Sequence, residues 1–109
     1  MYFKGVNMLR AKAEIVFTLD GKNYKARDDF RVPFNFGEGL IFSGNIIGQS
    51  EDNYICNNKY LVNIDFFTIE DEAYEAVAPL LKTNMTIPMQ AGRQLLGKAK
   101  LLEFSYSKQ

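Results

Sequence analysis

Five carboxylates lie within eleven residues of this chain: Asp65, Glu70, Asp71, Glu72 and Glu75. Paired carboxylates can act as general acid and base, or together hold a hard cation such as calcium. Neither chemistry is expected here. The chain has no histidine, the side chain most used for proton transfer at neutral pH. No loop shows the alternating Asp/Asn spacing of a dedicated calcium site. The one thiol, Cys56, lies between Tyr54-Ile55 and Asn57-Asn58 with no base beside it in sequence to lower its pKa. It reads as a part-buried structural thiol. Gly37-Glu38-Gly39 and Gly92-Arg93 are too short to cradle a phosphate, and the Gly-Lys-Ser/Thr of a P-loop is absent. The expectation is a chain that is not an enzyme and uses no nucleotide, metal or other cofactor. A carboxylate-based hydrolase ranks last among the functional readings.

The uneven charges read first as complementary strands of one barrel, with acidic loops facing basic ones, and second as surfaces for recognition. Formal net charge is zero, yet residues 1–31 hold seven Lys/Arg against four Asp/Glu, residues 32–75 one against eight, and residues 76–109 five against one. Within the acidic stretch, Glu70, Asp71, Glu72 and Glu75 are the densest group and form the candidate surface for a protein partner. Arg10 and Lys12 alternate on one segment and Lys98 and Lys100 on another, with Arg93 beyond a turn. If those two segments are neighbouring strands, the five cations make an outward basic patch, with Tyr106 and Tyr2 near it, suited to single-stranded RNA or an acidic protein surface. Ordinary lysines on strand faces are the competing explanation.

Positioning such surfaces requires a scaffold. A chain of 109 residues makes one domain and buries about 65% of the surface its unfolded form exposes. Nine Phe, six Tyr and no Trp indicate many half-buried strand positions. A lone cysteine permits no internal disulfide, and Met1 to Gly5 lack the apolar stretch of a signal peptide, so a reducing, cytoplasmic setting is expected. No apolar run is long enough to cross a membrane as a helix.

Period-two alternation marks the strands. Ala11, Ala13, Ile15, Phe17 and Leu19 share one face, and so do Phe30, Val32, Phe34 and Phe36. Further strands follow at Leu40 to Ile46, Tyr60 to Phe66, Met85 to Met89 and Leu95 to Phe104. Pro33 and Pro88 have no N–H to donate and mark edges or bulges. The apolar residues of the last strand change parity, which requires a bulge near Gly97 or cover on both faces. Residues 48–58 read as a polar loop with a short strand at most. Residues 70–78 read as one helical turn or a loop, limited by Pro79, with Thr68 or Asp71 placed to cap it. The pattern predicts an all-β, closed six-stranded antiparallel barrel with strands near 10–19, 30–36, 39–48, 60–68, 84–90 and 94–104. Phe17, Phe34, Phe42, Ile64 and Leu101 are expected inside. Residues 1–9 would be an N-terminal extension, 10–104 the barrel domain and 105–109 a polar tail.

Phe30-Arg31-Val32-Pro33-Phe34-Asn35-Phe36, the later Ser43-Gly44, the Ala91-Gly92-Arg93-Gln94 turn and the closing Leu96-Gly97-Lys98-Ala99 together resemble the C-terminal β-barrel domain of elongation factor Tu. Order and spacing correspond over roughly residues 10–104. The resemblance implies a Greek-key barrel that binds other macromolecules and has no chemistry of its own. It implies no GTPase, since that activity belongs to a different domain. The function expected is therefore macromolecular binding, with another protein as partner and an immunity- or antitoxin-like role as a special case. An RNA-binding accessory protein related to translation is the alternative.

Overall fold

Alternating apolar residues form strands when one parity can face a common interior, and in this chain six segments do so around a closed barrel. The computed structural model describes residues 8–18, 24–25, 31–48, 53–69 and 71–107. The strands are β1 (Met8–Phe17), β2 (Tyr24–Lys25), β3 (Arg31–Asn35), β4 (Ile41–Gly48), β5 (Asn53–Tyr54), β6 (Lys59–Phe66), β7 (Thr86–Ala91) and β8 (Gln94–Ser107). A short helix, α1 (Glu72–Val77), continues into a 3-10 turn over Ala78–Leu80. Around the barrel the order is β1-β6-β4-β3-β7-β8, all neighbours antiparallel, while β2 and β5 form a separate two-stranded ribbon. The first barrel strand thus lies beside the fourth, with the second to fourth joined as consecutive neighbours, a Greek-key arrangement.

The six barrel strands fall where the sequence pattern places them, with shifted ends. β1 begins at Met8, inside the stretch read as an extension, and β8 runs on to Ser107, into the stretch read as a tail. Residues 1–7 and 108–109, and with them the rest of those two terminal readings, lie outside the described residues.

The interior is filled by side chains. Leu9, Ala11, Ala13, Ile15 and Phe17 of β1 are all buried, as are Phe34, Ile46, Ile64, Phe66, Ile87, Met89 and Leu101. Phe66 meets Phe34 and Phe36 edge-on, at ring-centre distances of 5.2 and 5.3 Å. Of the five side chains expected inside, Phe17, Phe34, Ile64 and Leu101 are buried, but Phe42 is only half-buried. It shares the inward parity of β4 but stands near the strand's start, with its ring 6.1 Å from that of Phe36.

Two glycines make this filling possible. A Cβ at Gly44 would lie 2.6 Å from Phe34, 2.7 Å from Ile64 and 2.8 Å from Phe66. A Cβ at Gly97 would collide with the Val16 carbonyl oxygen and lie 2.8 Å from the Phe17 Cα. The parity change in β8 resolves into two bulges. Leu96 is the extra residue against β7, where Met89 faces Gly97 and Gln90 faces Leu95. Leu102 is the extra residue against β1, where Ala13 faces Leu101 and Lys12 faces Glu103. Past Leu102 the inward positions become Phe104 and Tyr106, both partly buried against the core.

Two substitutions separate the effects of filling and space. Phe34→Ala should destabilise by about 3–5 kcal/mol, the usual cost of truncating a buried Phe. Gly44→Ala should cost about 1–3 kcal/mol by overpacking, although alanine has the better intrinsic strand fit. Urea denaturation measures both, and a Gly44→Ala protein as stable as the parent would contradict the tight contact around this glycine.

Candidate interaction surface

The acidic connector is more than a solvated loop. Between β6 and β7 it buries Ile69, Val77 and Leu81 against the end of the barrel where β1 begins and β6 and β8 end. Tyr74 of α1 stacks flat on Tyr106 of β8, with ring centres 3.8 Å apart and planes 7° from parallel. The Asp71 backbone N–H donates to the Tyr106 hydroxyl at 2.7 Å, and Asp71 takes a φ of 48° at the helix start. Asp71 occupies the cap position, but its side chain makes no capping hydrogen bond. With Tyr74 and Val77 turned inward, Glu72, Glu75 and Ala76 are left on the exposed face of the helix. Carboxylates in a first helical turn also favour the helix itself through its dipole. Glu70 lies outside the described residues.

The basic residues do share one side of the barrel, because β1 and β8 are neighbours. The register, however, interleaves them with acids. Lys12 faces Glu103, Glu14 faces Lys100, and Val16 faces Lys98 across β1 and β8. Glu14 also lies 3.9 Å from the Lys59 ammonium. Arg10 is committed to Asp65 of β6, its Nε donating at 2.8 Å to Oδ1 and its Nη2 at 3.3 Å to Oδ2. Asp65 is only 4% exposed, although it has the outward parity of β6. The bond to Asp65, and then its opposite charge, hold the Arg10 guanidinium above its ordinary pKa. Lys98 and Lys100 flank a recess of about 200 Å³ with Glu14, Val16 and Thr86. Arg93 is exposed at the two-residue β7–β8 hairpin, whose first position is Gly92 with φ 61°. Tyr106 belongs to the stack under Tyr74, and Tyr2 lies outside the described residues.

The loop before β6 also contributes to the core, which its polar sequence conceals. Tyr54 is buried, with its ring 5.6 Å from Phe17 and 5.0 Å, edge-on, from Tyr60. Tyr60 uses its hydroxyl to accept the Ile55 N–H at 2.7 Å. This segment closes the barrel end opposite α1. Cys56 is half-buried in the turn that follows. Among the described residues no three Asp, Glu or Cys side chains converge to hold a metal ion, and no helix is long and apolar enough to cross a membrane.

Comparison of the chain with protein-family models, with curated proteins and with solved structures finds no match. The barrel therefore stands on the chain's own geometry.

Burial, and secondarily the neighbouring Tyr60, raises the Tyr54 phenol above its ordinary pKa of 10.0. Its folded pKa exceeds the unfolded one, so this contribution to stability is complete below the unfolded value and is lost as pH rises toward the folded one. The ionisation of Tyr54 should leave the melting temperature independent of pH at about pH 8–9 and lower it above about pH 10. A Tyr54→Phe protein should lose less over that alkaline range than the parent, as followed by circular dichroism melts.

Proposed function

We propose that this chain is a non-catalytic binding module whose partner is a protein with a basic surface, recognised by the carboxylates of the α1 connector. The observation that carries this reading is the outward placement of Glu72 and Glu75 on a helix held in place by the Tyr74–Tyr106 stack and by Val77. Charges on a fixed support keep their geometry while a partner approaches, and they steer and speed encounter. The filled barrel interior leaves recognition to the outer surface and the connectors, where rigid scaffolds commonly present it. The resemblance to the C-terminal domain of elongation factor Tu points to the same class, a barrel that works by contact. A cytoplasmic setting fits the lone Cys56. RNA is the second reading, supported by the recess that Lys98 and Lys100 flank.

Changing Glu70, Asp71, Glu72 and Glu75 together to Gln/Asn should move the melting temperature little, since Asp71, Glu72 and Glu75 are exposed and exposed charges rarely contribute more than about 1 kcal/mol. The same change should weaken co-purification of the native protein partner from cells. Lys98→Gln with Lys100→Gln should leave that partner bound. Loss of binding only in the lysine variant, with RNA recovered on the parent, would replace the protein reading with RNA.

A further inference from the structure

The barrel is not closed evenly. β3 pairs with β4 along all five of its residues, from Arg31 opposite Asn45 to Asn35 opposite Ile41. Between β3 and β7 the ladder is reduced to one pair, Phe34 opposite Met89, although the flanking residues of both strands are described. The direction of the backbone explains why. The Phe36 N–H donates to the Leu40 carbonyl at 2.8 Å, so the even residues of β3 turn their N–H groups toward β4 and the odd ones toward β7. The Met85 carbonyl accepts the Leu101 N–H at 2.9 Å, so the odd residues of β7 face β8 and the even ones face β3. Pro33 and Pro88 therefore both turn their nitrogens into the β3–β7 seam, and neither nitrogen carries a hydrogen. In the register set by Phe34 and Met89, Pro33 stands opposite Gln90 and Pro88 opposite Asn35. Each of these pairs is left with at most one of its two backbone hydrogen bonds. On the outside, Asn35 Nδ2 and Gln90 Oε1 meet at 3.5 Å, the longest hydrogen bond among those side chains.

What holds the seam is packing, since Phe34, Phe36 and Met89 are all buried. The β3–β4 hairpin is otherwise tied to the barrel by a short ladder, Asn45 to Gly48 against Asp65 to Val62. We propose that the β3–β7 seam is the opening line of the barrel, and that the hairpin from Arg31 to Gly44 swings as a flap hinged on that ladder, without global unfolding. The two prolines set the device by removing the donors that would lock it. This inference concerns motion of the scaffold and does not depend on which partner the connector binds.

Amide hydrogen exchange on the intact protein, read residue by residue by NMR, tests it. The Asn35 and Gln90 amides point into the seam and should exchange at least about ten-fold faster, after correction for intrinsic rates, than the slowest amides of β1 and β6. Pro33→Val with Pro88→Val restores both donors and should bring those two amides toward the slowest class. Equal protection of Asn35, Gln90 and the slowest β1 and β6 amides in the parent would overturn the proposal, and so would unchanged exchange of the seam amides in a folded double variant. If that variant does not fold, the parent comparison alone decides.

Discussion

Closing a sheet of only six strands around phenylalanine rings sets the terms for the rest of this structure. The interior has little volume to spare, and wherever a strand must come closest, a side chain has to be absent. Gly44 provides that room for the Phe34 and Phe66 rings, and Gly97 lets β8 approach the backbone of β1 at Val16 and Phe17. The two bulges of β8 follow from the same requirement, since a fourteen-residue strand that pairs with β7 at one end and β1 along its length must bend to do so. With the wall so constrained, variation falls to the seam between β3 and β7 and to the segments over the two ends.

Those end segments show how one stretch of chain serves two purposes. The connector after β6 seals one end with Ile69, Val77 and Leu81 while turning Glu72 and Glu75 outward, and the loop before β6 seals the other with Tyr54. Burial on one side fixes the geometry of what is displayed on the other. On the barrel wall the same economy works against a concentrated charge. Cross-strand pairing of Lys12 with Glu103, and of Glu14 with Lys100, disperses the cations that the sequence groups together.

The wall was legible in the sequence because its signal is local. Alternation such as Ala11, Ala13, Ile15, Phe17 needs no knowledge of neighbours, and Pro33, Pro88 and the parity change near Gly97 each carry their own steric meaning. What was not legible depends on register. Nothing in the separate segments says that the two prolines line one seam, or that Lys12 faces an acid, because a one-residue slip would exchange the faces. Tyr54 was hidden by its polar surroundings, and Val77 by the carboxylates before it. Phe42 has the inward parity expected of it, but parity does not tell how near a residue stands to the rim.

The pairing of β1 with β8 also bears on how the protein is made. The first strand of the barrel finds one of its two neighbours only in the last, so while the chain emerges from the ribosome β1 has one open flank until β8 is complete. Contacts of such long sequence separation form late and slowly. During that interval the edges of β1 and β7 are exposed templates for pairing with other chains. Crowded synthesis at high expression is therefore where this barrel is most vulnerable, and its final fourteen-residue strand is the element whose arrival ends that exposure.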